Sequence, residues 1–246
     1  MGEAAGDLHQ LYYWPGIPGR GELVRLVLEE AGVPYVDVAR EPASRGGGMA
    51  AIERLLAGEG EGALPFAPPV LKVGALVVAQ TAHINHFVAC RSGLAPSDEA
   101  GRLAALQHAL TLADLVMEAH DVHHPVGVSL YYEDQKDEAR RRAAVFRDER
   151  MPKFLGYFER VLSRSGEGLV GAHSYVDLML FQVLEGLAYA FPNAFGRVGP
   201  QVPRIAALRE RVAKRPRIAA YLASDRRTPF NEHGIFRHYP ELDPSE

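Results

Sequence analysis

The chain changes its pattern once, and this change limits the folds that are open to it. Up to the segment LAPSDEAG, residues 94–101, short apolar runs alternate with helical periodicity. Beyond that segment the apolar residues recur only with helical spacing. Strands alternating with helices, followed by helices alone, are typical of a small α/β unit joined to an all-helical unit.

The N-terminal part predicts strand, helix, strand, hairpin and helix. HQLYYW is the first strand, and the helix after it has an apolar stripe from Val24 to Ala31 and Gly32 as its C-terminal cap. VPYVDVA predicts the second strand, and PPVLKVGALVVAQ predicts a hairpin around Gly74. TAHINHFVACRSG predicts a helix with Thr81 as its N-cap. This order of elements is the thioredoxin-like one.

The C-terminal part predicts a bundle of helices. An apolar stripe runs along its first long helix at Leu103, Leu106, Leu110, Ala113 and Met117. A second helical stretch, residues 134–165, is kinked or restarted at Pro152. HSYVDLMLFQVLEGLAYAF is the most hydrophobic helix and is expected at the centre. The predicted fold is therefore α+β, with a thioredoxin-like α/β domain over residues 1–93 and an all-α helical-bundle domain over residues 98–246.

Composition and charge exclude several classes of protein. The formal net charge of −4 argues against a nucleic-acid binder, whose surface is normally basic. No apolar run approaches the ~18 residues that a membrane span needs, and the N-terminal MGEAAGDLHQ lacks the apolar core of a signal peptide. Cys90 is the single cysteine, so the chain has no internal disulfide. We expect a cytoplasmic protein without nucleic-acid or membrane partners.

Two tyrosines end the first strand, and a loop with three glycines follows them. Because side chains alternate along a strand, Tyr12 and Tyr13 point to opposite faces. Tyr13 is nearer the carboxyl end, where open α/β sheets bind ligands, and Arg20 stands where the loop enters the first helix. Most strand tyrosines only pack in a core, but a phenol, a guanidinium and a helix N-terminus together would stabilise a thiolate or a similar anion.

Two further corners of the chain hold candidate binding residues. Pro68 and Pro69 precede the hairpin, where proline marks the first residue of a strand or a special peptide bond. Gln80 and Thr81 stand at the strand-to-helix corner after it. Thr81 either caps its helix and does nothing more, or joins the Gln80 amide and nearby backbone N–H groups in a site for a free amino-acid head group.

These segments together resemble the cytosolic glutathione S-transferase family of the tyrosine-using type. The matching pieces cover nearly the whole chain in family order: YYWPGIPGRGELVRLVLEEAGVPY, FAPPVL, AQTAHINHFVACRSGLAP, ALTLADLVMEAHD, HSYVDLMLFQVLEGL and KRPRIAAYL. No single piece is specific, whereas the ordered set is. The resemblance implies a glutathione transferase that activates the thiol of glutathione, its co-substrate, for attack on a small hydrophobic electrophile in detoxification. It also implies a homodimer.

The resemblance assigns roles to residues of the N-terminal part. Tyr13, followed by an aromatic residue, should hold the glutathione sulfur, and Arg20 should support the negative charge. Pro69 matches the family's cis-proline, and Pro68 belongs to the same corner, which binds the cysteinyl part of glutathione.

Further roles follow for the second corner and the helical part. Gln80 and Thr81 match the pair that holds the γ-glutamyl group, and Asp114 resembles the aspartate that reaches across a dimer to the partner's glutathione. The residues 174–177, SYVD, resemble the family's helix-capping box. Three residues should border the electrophile pocket: Met117, Asp121 and His124.

The sequence departs from the family in three places. The loop after Trp14 is one residue longer, so Tyr12 competes with Tyr13 for the catalytic hydroxyl. Pro68 keeps its carbonyl but has no N–H, which removes a hydrogen bond worth about 0.5–1.5 kcal/mol. The basic residue for the glycine carboxylate is open among Arg40, Arg45 and Arg54.

Several alternatives stay open at this level. A glutathione-dependent isomerase or peroxidase would use the same activated thiol, and a carrier or interaction module would keep the fold without catalysis. HDVHHP, residues 120–125, lacks the spacing of a helical zinc site, so no metal is expected. The position of Cys90 inside a helix predicts a packing role. The tail from Thr228 covers the pocket or packs on the helical domain, and no motif names the electrophile.

Overall fold

The structure is a computed structural model that describes residues 8–245. The N-terminal stretch MGEAAGD and residue 246 lie outside the described residues, and so do the predictions made for them. The strands are β1 His9–Tyr12, β2 Tyr35–Asp37, β3 Val70–Val73 and β4 Leu76–Ala79. The helices that accompany them are α1 Gly19–Ala31, α2 Met49–Leu56 and α3 Thr81–Ser92.

The four strands form one mixed sheet in the order β2-β1-β3-β4. β1 pairs with β2 in parallel and with β3 antiparallel, and β3 and β4 form the predicted hairpin. α1 and α3 pack against each other, and Leu11 and Leu71 are fully buried in the core that includes residues of both helices. This arrangement confirms the thioredoxin-like order that the alternation of strands and helices predicted.

The rest of the chain is helical, as predicted. Its helices are α4 Glu99–Asp121, α5 Lys136–Val145, α6 Met151–Ser165, α7 Tyr175–Ala190, α8 Pro192–Val198, α9 Pro203–Ala213 and α10 Pro216–Leu222. A π-helical turn, Phe146–Arg150, joins α5 to α6 just before Pro152, which stands in the first turn of α6. The boundaries at residues 93 and 98 stay a prediction. No described helix is long and apolar enough to cross a membrane.

α7 is the central helix of this part and carries the predicted capping box. It packs against α1, α4 and α9, and its residues are almost all buried. The Ser174 backbone N–H donates to Asp177 Oδ2 over 2.7 Å, while Leu169 N–H donates to Asp177 Oδ1 over 2.8 Å. The carboxylate therefore satisfies the start of α7 and the preceding loop together.

Two predictions made for α3 are wrong. Gln80, not Thr81, is the N-cap residue, and no side chain caps this helix. Thr81 is already the first helical residue, and its hydroxyl is buried without a partner. Cys90 is exposed and contacts His86 rather than packing in the core.

The apolar stripe on α4 faces outward. Leu103 is 62% exposed and Leu110 is 53% exposed. The buried face of α4 consists instead of small and medium residues, among them Ala105, Ala109 and Leu112. The helical spacing identified the apolar stripe, but it did not indicate that this stripe would face outward and that a neighbouring face of α4 would be buried.

Candidate functional site

Tyr13 lies just beyond the end of β1, with its hydroxyl at the N-terminus of α1. The Tyr13 hydroxyl accepts a hydrogen bond of 2.8 Å from the backbone N–H of Arg20. Only 4% of Tyr13 is exposed, and the Arg25 guanidinium lies 5.8 Å from the centre of its ring. Burial raises the pKa of Tyr13 and outweighs the Arg20 amide and the two arginine charges, which lower it. The phenol is therefore neutral at pH 7 and keeps its own proton for donation.

Two glycines of α1 make room for this phenol. A Cβ atom at Gly19 would stand 2.0 Å from the Tyr13 hydroxyl oxygen, and one at Gly21 would stand 2.4 Å from the ring. Gly19 also has a φ of +43°, which other residues rarely adopt. Sequence reasoning had treated these glycines only as parts of a loop, so it missed their role in seating Tyr13.

Tyr12 lies on the other face of the sheet. It is partly exposed, and burial raises its pKa while the charge of Arg54 on α2 lowers it. Cross-strand pairing places Tyr12 opposite Val70. The two tyrosines thus meet different surroundings, one beneath the start of α1 and the other on the side of α2.

The two predicted corners flank the hairpin and lie together at its open end, because Val70 pairs with Ala79. The Pro68–Pro69 peptide bond is cis, as the family resemblance implied for this proline. Gln80, between β4 and α3, has a φ of +72°. Among the described residues, all other positive φ values belong to glycines. A non-glycine residue in this region costs about 1–3 kcal/mol, and such strain clusters at functional sites. Thr81 follows with its unpartnered hydroxyl, and it is only 7% exposed.

The three candidate arginines of the region 40–54 have different partners. Arg40 lies 3.1 Å from Asp37 and also binds the carbonyl of Arg226 and the hydroxyl of Thr228. Arg45 is largely exposed and pairs with Glu41. Arg54 donates to the Gly46 carbonyl, and its charge acts on Tyr12. Arg40 is therefore already committed to contacts that join the two halves of the chain.

Arg20 lies beside the residues predicted for the electrophile pocket. Its guanidinium reaches the sulfur of Met117 on α4 at 3.8 Å. At the end of α4 the rings of His120 and His124 lie 5.1 Å apart, and His120 Nδ1 donates to the Asp121 carboxylate over 3.1 Å. The structure brings Met117, Asp121 and His124 into one region next to Arg20. His120 and His123, which lie in the same cluster, were not among the predicted pocket residues.

The C-terminal tail lies over this region. The Asn231 side chain donates to the Gly16 carbonyl over 2.8 Å, and His123 Nε2 donates to the Ile235 carbonyl over 2.7 Å. Further along, Tyr132 stacks on Tyr239 with ring centres 3.9 Å apart. The tail therefore contacts both the loop after β1 and the end of α4.

A buried polar network holds α1 against the helical part. Glu22 and Arg25 are fully buried and lie 3.1 Å apart, and Arg25 Nε donates to Asp37 over 2.7 Å. Glu22 also accepts hydrogen bonds from the Tyr221 hydroxyl, at 2.6 Å, and from Arg227. These bonds span about two hundred positions of the sequence and fix the helix that seats Tyr13. Sequence patterns contain no signal for them.

Asp114 stands apart from the other predicted site residues. It is exposed on α4, close in sequence to the outward-facing Leu110 and Met117. The described residues contain no group of three or more histidine, cysteine or acidic side chains that could hold a metal ion.

Comparison with known proteins links the chain to one family. A protein-family model described as Glutathione S-transferase, C-terminal domain, matches residues 120–225. A glutathione S-transferase of Plasmodium yoelii yoelii is 24% identical over 210 residues, which cover 84% of this chain and 89% of the relative. One from Plasmodium falciparum is 23% identical over 229 residues, which cover 89% of this chain and 97% of the relative.

Solved structures show the same fold. Prostaglandin synthase D of Nilaparvata lugens aligns with a TM-score of 0.70 and 21% identity, covering 90% of this chain and all of that structure. A nematode-specific glutathione S-transferase of C. elegans aligns with a TM-score of 0.65 and 24% identity, covering 92% of this chain and all of that structure.

Proposed function

This chain belongs to the glutathione S-transferase family, and on that premise we propose that it activates glutathione and joins its sulfur to an electrophile. The observation that carries the proposal is the Tyr13 hydroxyl, held by the Arg20 N–H at the start of α1. Since the hydroxyl accepts from that amide, its own proton points to a different acceptor. A thiolate at this position would receive that proton as a hydrogen bond.

One such bond is large enough to activate the thiol. A free thiol near pKa 8.5 is only ~3% thiolate at pH 7. A hydrogen bond to a charged group is worth about 1.5–3 kcal/mol, which lowers the thiol pKa by roughly one to two units. The start of α1 and the Arg20 guanidinium add favourable charge. The thiolate then attacks the electrophile, so that with an aryl chloride a C–S bond forms and chloride leaves with the bonding electrons.

Other groups of the chain would suit the remaining parts of glutathione. The buried, unpartnered hydroxyl of Thr81 fits the γ-glutamyl carboxylate. The strained backbone of Gln80 stands at the same corner. The Pro68 carbonyl would accept from the cysteinyl N–H. Arg54 would meet the glycine carboxylate, because Arg40 and Arg45 already pair with carboxylates of this chain.

A homodimer would give Asp114 its role. Leu103 and Leu110 expose an apolar stripe on α4 beside Asp114, and Phe66, in the loop before the cis-proline, is 93% exposed. A monomer that exposes such residues gains from burying them against a second copy. Asp114 would then reach the γ-glutamyl amine of the partner's glutathione.

The test is a matched pair of tyrosine variants. We expect Tyr13→Phe to lower kcat/KM for a generic aryl halide at pH 7 by roughly 10- to 100-fold, since one charge-assisted hydrogen bond is lost. The thiolate absorbance of the enzyme–glutathione complex should also titrate one to two units higher. Tyr12→Phe, on the opposite face of the sheet, should change neither quantity by more than about 2-fold.

Other outcomes distinguish the alternative catalytic tyrosine and the alternative functions. Loss of activity in Tyr12→Phe alone would assign the phenol to the other face. Retention on immobilised glutathione without turnover of any electrophile or peroxide would favour a carrier. A protein that does not bind millimolar glutathione would refute the proposal.

A further inference from the structure

Three histidines at the end of α4 meet two arginines from distant parts of the chain. The ring centres of His120, His123 and His124 lie 4.8–5.4 Å apart. Arg20 approaches from the loop before α1 and reaches Met117. Arg237 approaches from the tail. Of these five side chains, only those of Arg20 and His124 have a role in the proposed reaction.

The position of Arg237 follows from the turn that carries it. Arg237 Nε donates to the Gly234 carbonyl over 2.8 Å. Gly234 lies against Pro18, since a Cβ atom there would be 3.7 Å from the proline ring. Together with the bonds of Asn231 and Ile235 described above, these contacts hold the turn 231–237 between the loop after β1 and the end of α4. Arg237 is thus held at the edge of the site by backbone contacts.

The region carries a positive charge that the protein does not neutralise. Within residues 8–245, neither Arg20 nor Arg237 forms an ion pair with a carboxylate. Asp121, at the end of α4, is bonded to His120, and Glu232 of the turn 231–237 accepts a hydrogen bond of 2.6 Å from the Tyr189 hydroxyl.

The three histidines do not add to this positive charge. Burial and the charge of Arg237 lower the pKa of all three rings, and Arg20 also lowers that of His120. All three are therefore neutral at pH 7. The two guanidinium groups outweigh the single carboxylate of Asp121, so this end of α4 carries a net positive charge.

The hydrogen-bond assignments leave the terminal nitrogens of Arg237 available as donors. His120 Nδ1 carries its proton toward Asp121, and His123 Nε2 carries its proton toward Ile235. His124 Nδ1 faces the amide of Gln135. Arg237 uses only Nε within the described residues, which leaves its two terminal nitrogens side by side for a planar acceptor. A carboxylate matches that geometry.

We propose that the electrophile of this site carries a carboxylate, and that Arg237 binds it beside the thiolate. This inference rests on the proposed function, because it names the class of electrophile that the activated thiol attacks. Arg237 is in this view a specificity-determining residue. It fixes the acidic end of the electrophile while Tyr13 and Arg20 act on the sulfur.

The test compares one electrophile with and without its charge. 4-Chloro-3,5-dinitrobenzoate and its methyl ester react with glutathione by the same displacement of chloride. Because the ester group activates the ring more strongly, each kcat/KM is divided by the uncatalysed rate constant for the same compound. We expect the wild-type ratio of acid to ester to exceed 10-fold, as one charge-assisted contact predicts.

Variants of Arg237 then locate the effect. Arg237→Gln should lower the acid-to-ester ratio by about 10-fold or more, chiefly through a higher KM for the acid. Arg237→Lys should restore much of the ratio, since it keeps the charge. Arg164→Gln, which removes the same charge from an exposed position on α6, should leave the ratio unchanged.

The outcomes distinguish this inference from the function on which it rests. Turnover of both compounds with equal normalised rates, or an Arg237→Gln variant that slows both equally, would overturn the carboxylate site and leave the transferase intact. No turnover of either compound by a protein that conjugates a generic aryl halide would overturn the inference alone, whereas a protein that turns over no electrophile would overturn the proposed function and the inference with it.

Discussion

Removing the buried hydroxyl of Thr81 should stabilise the protein and weaken glutathione binding at the same time. The Thr81 hydroxyl is buried and has no hydrogen-bond partner, and such a group costs roughly 1–3 kcal/mol. Thr81→Val replaces it with a methyl group of nearly the same shape and keeps the β-branched character at the start of α3. We expect the unfolding free energy without ligand to rise by about 1–2 kcal/mol.

The same change should cost affinity for glutathione. If the hydroxyl donates to the γ-glutamyl carboxylate, its loss removes about 1.5–3 kcal/mol of binding free energy and raises the Kd for glutathione by roughly 10- to 100-fold. At a glutathione concentration 100 times the wild-type Kd, the wild type gains about 2.7 kcal/mol from the ligand. A variant that binds tenfold more weakly gains only about 1.4 kcal/mol. The difference in unfolding free energy between the variant and the wild type therefore narrows or reverses.

The assay is thermal unfolding with and without glutathione. Without ligand the melting temperature of Thr81→Val should exceed that of the wild type by roughly 2–8 °C, from the scaling for a chain of this size. Thr111→Val on α4 is the matched control, because the Thr111 hydroxyl already bonds the Gln107 carbonyl of its own helix at 2.9 Å. That control should not stabilise the protein. A Thr81→Val protein that melts below the wild type, or binds glutathione equally well, would refute the reasoning.

Three other predictions test the parts of the structure that support the site. Gly21→Ala should lower activity strongly while the protein stays folded, because its Cβ atom would stand 2.4 Å from the Tyr13 ring; Gly196→Ala, where a Cβ meets nothing within 4 Å, is the control in the same steady-state assay. Arg25→Met should lower the unfolding free energy in urea by about 3–5 kcal/mol, since it removes a buried cation from between two carboxylates; a loss below about 1 kcal/mol would show that the network is not coupled. Burial lowers the pKa of His123 from 6.5 to about 3. As the pH falls, the unfolded chain therefore binds a proton at this histidine before the folded protein does. The stability that is present above pH 6.5 is lost as the pH falls toward 3. We expect about 3 kcal/mol of this loss between pH 7 and pH 4.5, and His123→Gln should reduce it in urea titrations at the two pH values.

Local patterns were sufficient to predict the order of the elements. The cap at Gly32 and the capping box at residues 174–177 were found because each depends on residues a few positions apart. The same holds for the hairpin around Gly74 and for the central position of α7, whose continuous hydrophobicity has no polar face to turn toward water.

At the predicted site, the structure can be compared with the sequence through local backbone features. The corner at Pro68 and Pro69 and the strained Gln80 are backbone features that the segment itself carries. Thr81 was misjudged because a threonine before a helix caps in most sequences, whereas here the strained residue before it takes the cap position.

The sequence alone determined which segments become strands and helices, because hydrophobic period, caps and turn residues act over a few positions. Tertiary structure decided what those segments present to one another. Arg40 was one of three equal candidates until the folded chain paired it with residues near position 226. Arg237 carried no signal until the tail brought it to the end of α4. Contacts across more than a hundred positions depend on how whole elements pack, and one chain's local pattern does not encode that packing in readable form.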